Sequence, residues 1–204
     1  MRRLLHSQRQ AIPDVPAIYF VEPTHENVSR ICDDLANNLY ETYYINFSSV
    51  ISRDLLEYMA QSTLNSGTFQ HIAQVFDQYL NYLCLETFMF SLNLKDSYYE
   101  LNKPTEDAKI ESYLKTIVSR LYSVFVTSGQ IPIIRSSQRN AAENVAKGLE
   151  LRLRDHVKNA KSDAFVDKNG IPMLRPLLIV VDRNTDLATM LHHTWSYSPM
   201  HWHF

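Results

Sequence analysis

The sequence predicts an α/β protein built from open, mostly parallel sheet units flanked by helices. Short apolar runs such as residues 17–21 (AIYFV) and 177–181 (LLIVV) are typical of strands buried on both faces. Between such runs lie longer segments in which apolar residues recur every three or four positions, as in amphipathic helices. Because strands alternate with helices along the chain, parallel βαβ units are favoured over hairpins.

The N-terminal elements follow from local signals. After the strand at 17–21, Thr24 is placed to cap a helix, and 41–47 is rich in aromatic and β-branched residues, as strands are. Ser52 can cap a short helix that Gly67 ends. Further elements are predicted along the rest of the chain: a helix over roughly Thr68–Leu83, a strand within 88–94, a long helix from Pro104 to Gly129, a strand at 131–135, a helix over Ala141–Asn159 and the strand at 177–181.

Composition narrows the class of protein. The 204 residues carry a net charge of −2, and the balanced charges are unlike the clustered Lys and Arg of a nucleic-acid-binding protein. Residues 1–6 do not match a secretory signal, and no run approaches 18 apolar residues, so no membrane span is predicted. Cys32 and Cys84 fall at apolar positions of helical patterns and are expected to be reduced and buried, as in a cytoplasmic protein.

Asp182 is the best catalytic candidate in the sequence. It follows the strand at 177–181, where open α/β sheets place ligands, and Asp186 and the pair His192-His193 come soon after. These residues could surround a metal ion, which makes a metal-dependent hydrolase or phosphotransferase the alternative function. The competing interpretation is that Asp182 and Asp186 cap a turn and a helix start, with Arg183 nearby, and it is the better supported of the two.

Other chemical motifs are weak or absent. His201 and His203 have strand spacing for a metal, but two histidines are too few for a site. The sequence has no glycine-rich phosphate loop and no nucleophile elbow, and it has only four glycines. No catalytic residue, metal or cofactor is therefore predicted.

An apolar groove is the other candidate site. Leu56, Met59 and Ala60 lie on one predicted helix, and Ile72 and Val75 lie on the next, which folds back after Gly67. Such a helical pair can expose a groove for a short peptide, although residues of this kind are more often core.

Four blocks of sequence give a more specific indication. They are VPAIYFVEPT at 15–24, VFDQYLN at 75–81, IPIIR at 131–135, and DRNTDLAT at 182–189 followed by HHTW at 192–195. Together they resemble the Sec/Munc family of syntaxin-binding proteins, in its ER–Golgi Sly branch, from about Leu4 to Tyr197. The signature positions in the last block are Asp182, Arg183, Asp186, His193 and Trp195.

The resemblance implies a three-domain scaffold that binds SNARE helices, is not an enzyme and has no cofactor. Residues 1–78 resemble the latter part of the family's first domain, 79–197 resemble the first half of its second, and 198–204 form a divergent tail. The positions that match the branch's pocket for a syntaxin N-terminal peptide are Leu56, Met59, Ala60, Ile72 and Val75.

The implied function is regulation of vesicle docking and fusion in ER-to-Golgi transport, by a cytoplasmic protein that reaches membranes only through SNAREs. The implied partners are the ER–Golgi syntaxin and the SNARE complex, without nucleic acid. The family's chain begins upstream of this sequence and continues beyond it, so a truncated form with sheets incomplete at both ends is expected.

Overall fold

A computed structural model of the protein describes residues 5, 7, 9–104, 106–159 and 175–192. The chain divides into two compact units, residues 1–93 with 123–128 and residues 94–122 with 129–204. The domain boundary predicted at residue 78 stays a prediction.

The first unit contains a three-stranded parallel sheet. Its strands follow the order β1-β2-β3, and β1 and β2 pair in register from Ala17 opposite Tyr43 to Val21 opposite Phe47. The elements are strand β1 (Ala17–Val21), helix α1 (His25–Ala36), strand β2 (Tyr43–Phe47), helix α2 (Arg53–Ser66), a 3₁₀ turn (Phe69–His71), strand β3 (Ile72–Asp77), and the antiparallel pair β4 (Leu83–Glu86) and β5 (Met89–Ser91).

One face of this sheet carries the hydrophobic core. Tyr43, Ile45 and Phe47 point to that side and are fully buried with residues of α1 and with Met59 of α2. The opposite face is uncovered in the described part of the chain. Four large side chains there are exposed: Ile18, Phe20, Tyr44 and Phe76.

The second unit pairs two parallel strands with long helices. Its elements are helix α3 (Ser97–Asn102), helix α4 (Asp107–Ser128, whose last turns belong to the first unit), strand β6 (Ile133–Ser136), helix α5 (Ala141–Asn159) and strand β7 (Leu177–Val180), followed by 3₁₀ turns at Arg183–Thr185 and Thr189–Leu191. Ile133 lies opposite Leu177, and α5 contacts both strands. The predicted α/β class with parallel sheet units is confirmed.

The helix predicted over Thr68–Leu83 is wrong. Gly67 adopts the left-handed conformation (φ 69°) and ends α2, and residues 72–77 then form β3. A bulge places Ile72 opposite Tyr43 but Gln74 opposite Tyr44, so one residue is inserted and the inward positions become Ile72 and Val75. That spacing of three residues imitates a helical pattern.

The expected burial of Cys84 is also wrong. Cys32 is buried on α1 as expected, whereas Cys84 lies on β4 and is exposed. The alternating segment at 88–94 contributes only the three residues of β5.

A buried carboxylate connects the elements of the first unit. Asp34 of α1 is 2% exposed, and its Oδ2 accepts hydrogen bonds from Arg9 Nη2 (2.6 Å) and Tyr19 Oη (2.8 Å). Its backbone oxygen accepts a bond from Tyr43 Oη (2.8 Å). Arg9 Nη2 also donates to the Leu5 carbonyl at 2.7 Å. Side-chain and backbone contacts of Asp34 and Arg9 therefore join α1, β1, β2 and the N-terminal segment.

Replacing Asp34 tests this network. Asp34→Ala leaves the Arg9 guanidinium buried without its carboxylate, which destabilises proteins by about 3–5 kcal/mol. Urea unfolding of the variant should show a loss of that size. Asp33→Ala, at the exposed neighbouring position, is the control and should change stability by less than about 0.5 kcal/mol; equal effects would contradict the special role of Asp34.

Tyr43 makes the stability of the first unit depend on pH in the alkaline range. Burial raises the pKa of its hydroxyl to about 12, against the ordinary value of 10.0. Because the folded state holds the proton more tightly, the stabilisation is complete below pH 10 and is lost as the pH rises towards 12. Thermal melts between these values should show a smaller fall in Tm for Tyr43→Phe than for the parent. An equal fall in the two proteins would contradict this role of Tyr43.

A close approach of two helices in the second unit gives a third test. A Cβ added to Gly148 of α5 would lie 2.9 Å from Cγ2 of Val118 on α4. Overpacking of about 1–3 kcal/mol outweighs the helix-propensity gain of about 1 kcal/mol, so Gly148→Ala should lower the free energy of unfolding. In Val118→Ala/Gly148→Ala the clash disappears, and a double-mutant cycle should give a favourable coupling of about 0.5 kcal/mol or more. If the effects of the two substitutions on the free energy of unfolding were strictly additive, the predicted clash between the helices would be contradicted.

Candidate functional site

The surface formed by α2 and β3 holds the five residues predicted to bind a peptide. Ser52 caps α2, its Oγ accepting a bond from Leu55 N (3.4 Å). The helix is also tied to the far end of β3, because Asp77 Oδ1 accepts a bond from Ile51 N at 3.2 Å. Burial raises the pKa of Asp77, and this backbone bond opposes the shift. The start of α2 and the end of β3 are therefore fixed to each other.

Helix α2 has three distinguishable faces. Met59 and Thr63 are buried towards the sheet. Tyr58 packs on His25 of α1 with ring centroids 4.9 Å apart, so this residue marks the face towards α1. Because an α-helix turns by about 100° from one residue to the next, Leu56 and Ala60 lie on the flank of α2 opposite α1.

That flank faces the side of the sheet where β3 is the edge strand. Ile72 and Val75 are half-buried and pack against the core cluster that contains Met59, which places them on the same side of the sheet as α2. Leu56 is 42% exposed and Ala60 is also exposed, while Met59 is 3% exposed. Met59, Ile72 and Val75 thus pack together on the core side of the sheet, while Leu56 and Ala60 are exposed on the same helix as Met59.

The predicted pair of helices is corrected to a helix and a strand. Ile72 and Val75 lie on β3, so the surface runs between a helix flank and a sheet edge. Sequence reasoning also missed Leu64, which is 59% exposed and extends the line of Leu56 and Ala60 by one helical step. The four-residue spacing of these three residues was the available signal.

Asp182 and Asp186 act as caps. Asp182 Oδ1 accepts a bond from Asn184 N (2.9 Å) at the start of a 3₁₀ turn. Asp186 accepts from Thr189 N (3.2 Å) and from the Thr189 hydroxyl, and the hydroxyl bond is the main reason that the pKa of Asp186 is lowered. The capping interpretation is confirmed for both residues.

The turn after β7 is anchored through Asn184. Its amide nitrogen donates to Asn102 Oδ1 at 2.9 Å, and Tyr98 Oη donates to its side-chain oxygen at 3.0 Å, both from α3. Arg183 is exposed, and His193 and Trp195 lie outside the described residues, as do His201 and His203. Within the described part of the chain, no group of three or more His, Cys, Asp or Glu residues could hold a metal ion.

The sequence is similar to that of known proteins along nearly its whole length. A model of the Sec1 family matches residues 2–201. The chain belongs to the Sec1 family. Over 206 residues it is 48% identical to Sec1 family domain-containing protein 1 of Mus musculus, covering 97% of this chain and 32% of the mouse protein. It is 50% identical over 195 residues to Protein sly1 of Schizosaccharomyces pombe, covering 95% of this chain and 30% of that protein.

Solved structures agree with the family and the fold. The chain matches Sly1p, crystallised in complex with an N-terminal peptide of Sed5p, with a TM-score of 0.84 and 40% identity over 95% of this chain and 31% of that one. Vps45 in complex with the Qa SNARE Tlg2 shares the fold, with a TM-score of 0.78 at 21% identity, covering 98% of this chain and 34% of that one. This Sec1-family chain thus spans about a third of the length of the relatives it matches. No described helix of it is long and apolar enough to cross a membrane.

Proposed function

We propose that the chain binds the N-terminal peptide of a syntaxin through Leu56, Met59, Ala60, Ile72 and Val75. The observation that carries this proposal is an accessible apolar surface between α2 and the edge of β3, in a chain 40% identical to Sly1p, which was crystallised with a Sed5p N-terminal peptide.

The chemistry of the surface suits an apolar anchor. An apolar side chain entering between Leu56 and the β3 residues would meet Met59 below it, and methionine adapts its shape to the group that it contacts. The base is already packed in the core, so binding requires little ordering of the protein. Polar residues such as Arg53, Glu57 and Gln61 surround it on exposed positions of α2 and leave room for a polar peptide backbone.

The cellular role follows from this binding. The protein acts as a SNARE-binding regulator of vesicle docking and fusion in ER-to-Golgi and intra-Golgi transport, and it catalyses no reaction. It is cytoplasmic and reaches ER and Golgi membranes through the syntaxin. The names of the Sly1 relatives and the Sly1p complex support this assignment.

Charge substitutions at the surface test the proposal. Leu56→Lys places an ammonium group where an apolar anchor must be desolvated, so the affinity for the Sed5p N-terminal peptide should fall at least tenfold, about 1.4 kcal/mol or more. Ile72→Glu should weaken binding further. Isothermal titration calorimetry with the synthetic peptide measures both effects.

Two controls separate binding from folding. Leu151→Lys changes a similarly exposed leucine on α5, in the other unit, and should leave the peptide affinity unchanged. Far-UV circular dichroism and thermal melts should show that Leu56→Lys remains folded, because its side chain lies at the rim. Parent-like affinity in both surface variants would exclude this surface as the peptide site.

A further inference from the structure

The connection between β2 and α2 is fixed at its far end by one side chain. In the described structure, residues 49–51 make a single hydrogen bond, from the Ile51 N–H to Asp77 Oδ1 (3.2 Å). Ser52, the next residue, caps α2 and begins the helix that carries Leu56. Asp77 therefore determines where the first turn of α2 lies relative to the end of β3.

Asp77 lies on the side of the sheet that faces α2. It is the last residue of β3 and follows Val75 by two positions, so the two side chains point to the same face of the strand. Val75 packs against the core cluster that contains Met59 of α2. The carboxylate of Asp77 thus stands beside the candidate peptide surface, at the end where α2 begins.

The backbone around Asp77 is held by β2 and does not depend on the carboxylate. Asp77 lies opposite Phe47, which is fully buried, and the Gln78 N–H donates to the Phe47 carbonyl at 2.8 Å. The Leu80 N–H donates to the Ser48 carbonyl at 2.7 Å. Removal of the carboxylate would therefore leave β3 in place and release the connection that precedes α2.

The surroundings of the carboxylate strengthen this link. Asp77 is half-buried, and burial raises its pKa, whereas the bond from Ile51 lowers it. No charged neighbour among the described residues contributes to the shift, so the Ile51 N–H is the group that stabilises the ionised carboxylate. A hydrogen bond to a charged acceptor is stronger than one between neutral groups, and partial exclusion of water strengthens it further.

We propose that Asp77 is a positioning residue for peptide binding, which holds α2 at the distance from β3 that an apolar peptide side chain requires between Leu56 and Val75. This inference rests on the proposed function, because it names the residue that prearranges the same surface. Asp77 acts through Ile51 and α2, without contacting the peptide. Without the bond, α2 would occupy the binding position for only a fraction of the time, and the apparent affinity would fall by that fraction.

Isothermal titration calorimetry of the full chain with the Sed5p N-terminal peptide tests this role. Asp77→Ala removes the acceptor and should weaken binding about threefold or more. Asp77→Asn keeps an oxygen at the Oδ1 position and should bind like the parent. Asp77→Glu keeps the charge but carries its oxygens one methylene further out, so it should bind weakly. Asp54→Ala, which removes an exposed carboxylate from the first turn of α2, is the control and should keep the parent's affinity.

A double-mutant cycle separates positioning from a general loss of stability. In a Leu56→Ala background, Asp77→Ala should cost less affinity than it does in the parent, because the side chain that it positions is already missing. Equal costs in the two backgrounds would contradict positioning through α2. Circular dichroism must show parent-like spectra for the variants that are compared. If Asp77→Ala does not fold, the comparison of Asp77→Glu with Asp77→Asn takes its place.

The outcomes distinguish this inference from the proposed function. Parent-like affinity in folded Asp77→Ala, while Leu56→Lys binds weakly, would overturn the positioning role and leave the peptide surface standing. Weak binding by Asp77→Asn with parent-like binding by Asp77→Glu would also overturn it, because the charge and not the hydrogen bond would then be required. Parent-like affinity in both Leu56→Lys and Ile72→Glu would overturn the proposed surface, and the role of Asp77 with it.

Discussion

The buried carboxylate of Asp34 is the interaction on which the first unit depends. A charge removed from water needs a partner and satisfied hydrogen bonds, and here Arg9 and Tyr19 supply them. The backbone oxygen of the same residue receives the hydroxyl of Tyr43, so the helix, two strands and the N-terminal segment converge at one position. A shift of any one element would leave a polar group buried without a partner, and the cluster therefore specifies how α1 lies on the sheet.

Among the described residues, helices cover the sheets of both units on one side. Parallel sheets usually carry helices on both faces because their strands are apolar throughout. Here Ile18 and Phe20 in the first unit, and Leu177 and Ile179 in the second, are exposed on faces that no described element covers. Exposed apolar area of this kind is where further segments of a chain or other proteins pack.

The proposed peptide surface combines a buried base with exposed side chains. Met59 is packed in the core, whereas Leu56 is exposed on the same helix. Specificity for a peptide would come from side chains such as Leu56 and Val75, because an apolar anchor must fit between them.

Periodicity and capping residues determined most elements from the sequence alone: Thr24, Ser52 and Gly67 mark helix ends that the structure reproduces. The sequence also indicated the family and the capping role of Asp182, because these depend on residues close together in the chain. Only the tertiary structure decided that 72–77 is a strand, since its bulge gave Ile72 and Val75 a helical spacing. It also revealed the partners of Asp34, because contacts between distant segments leave no local pattern.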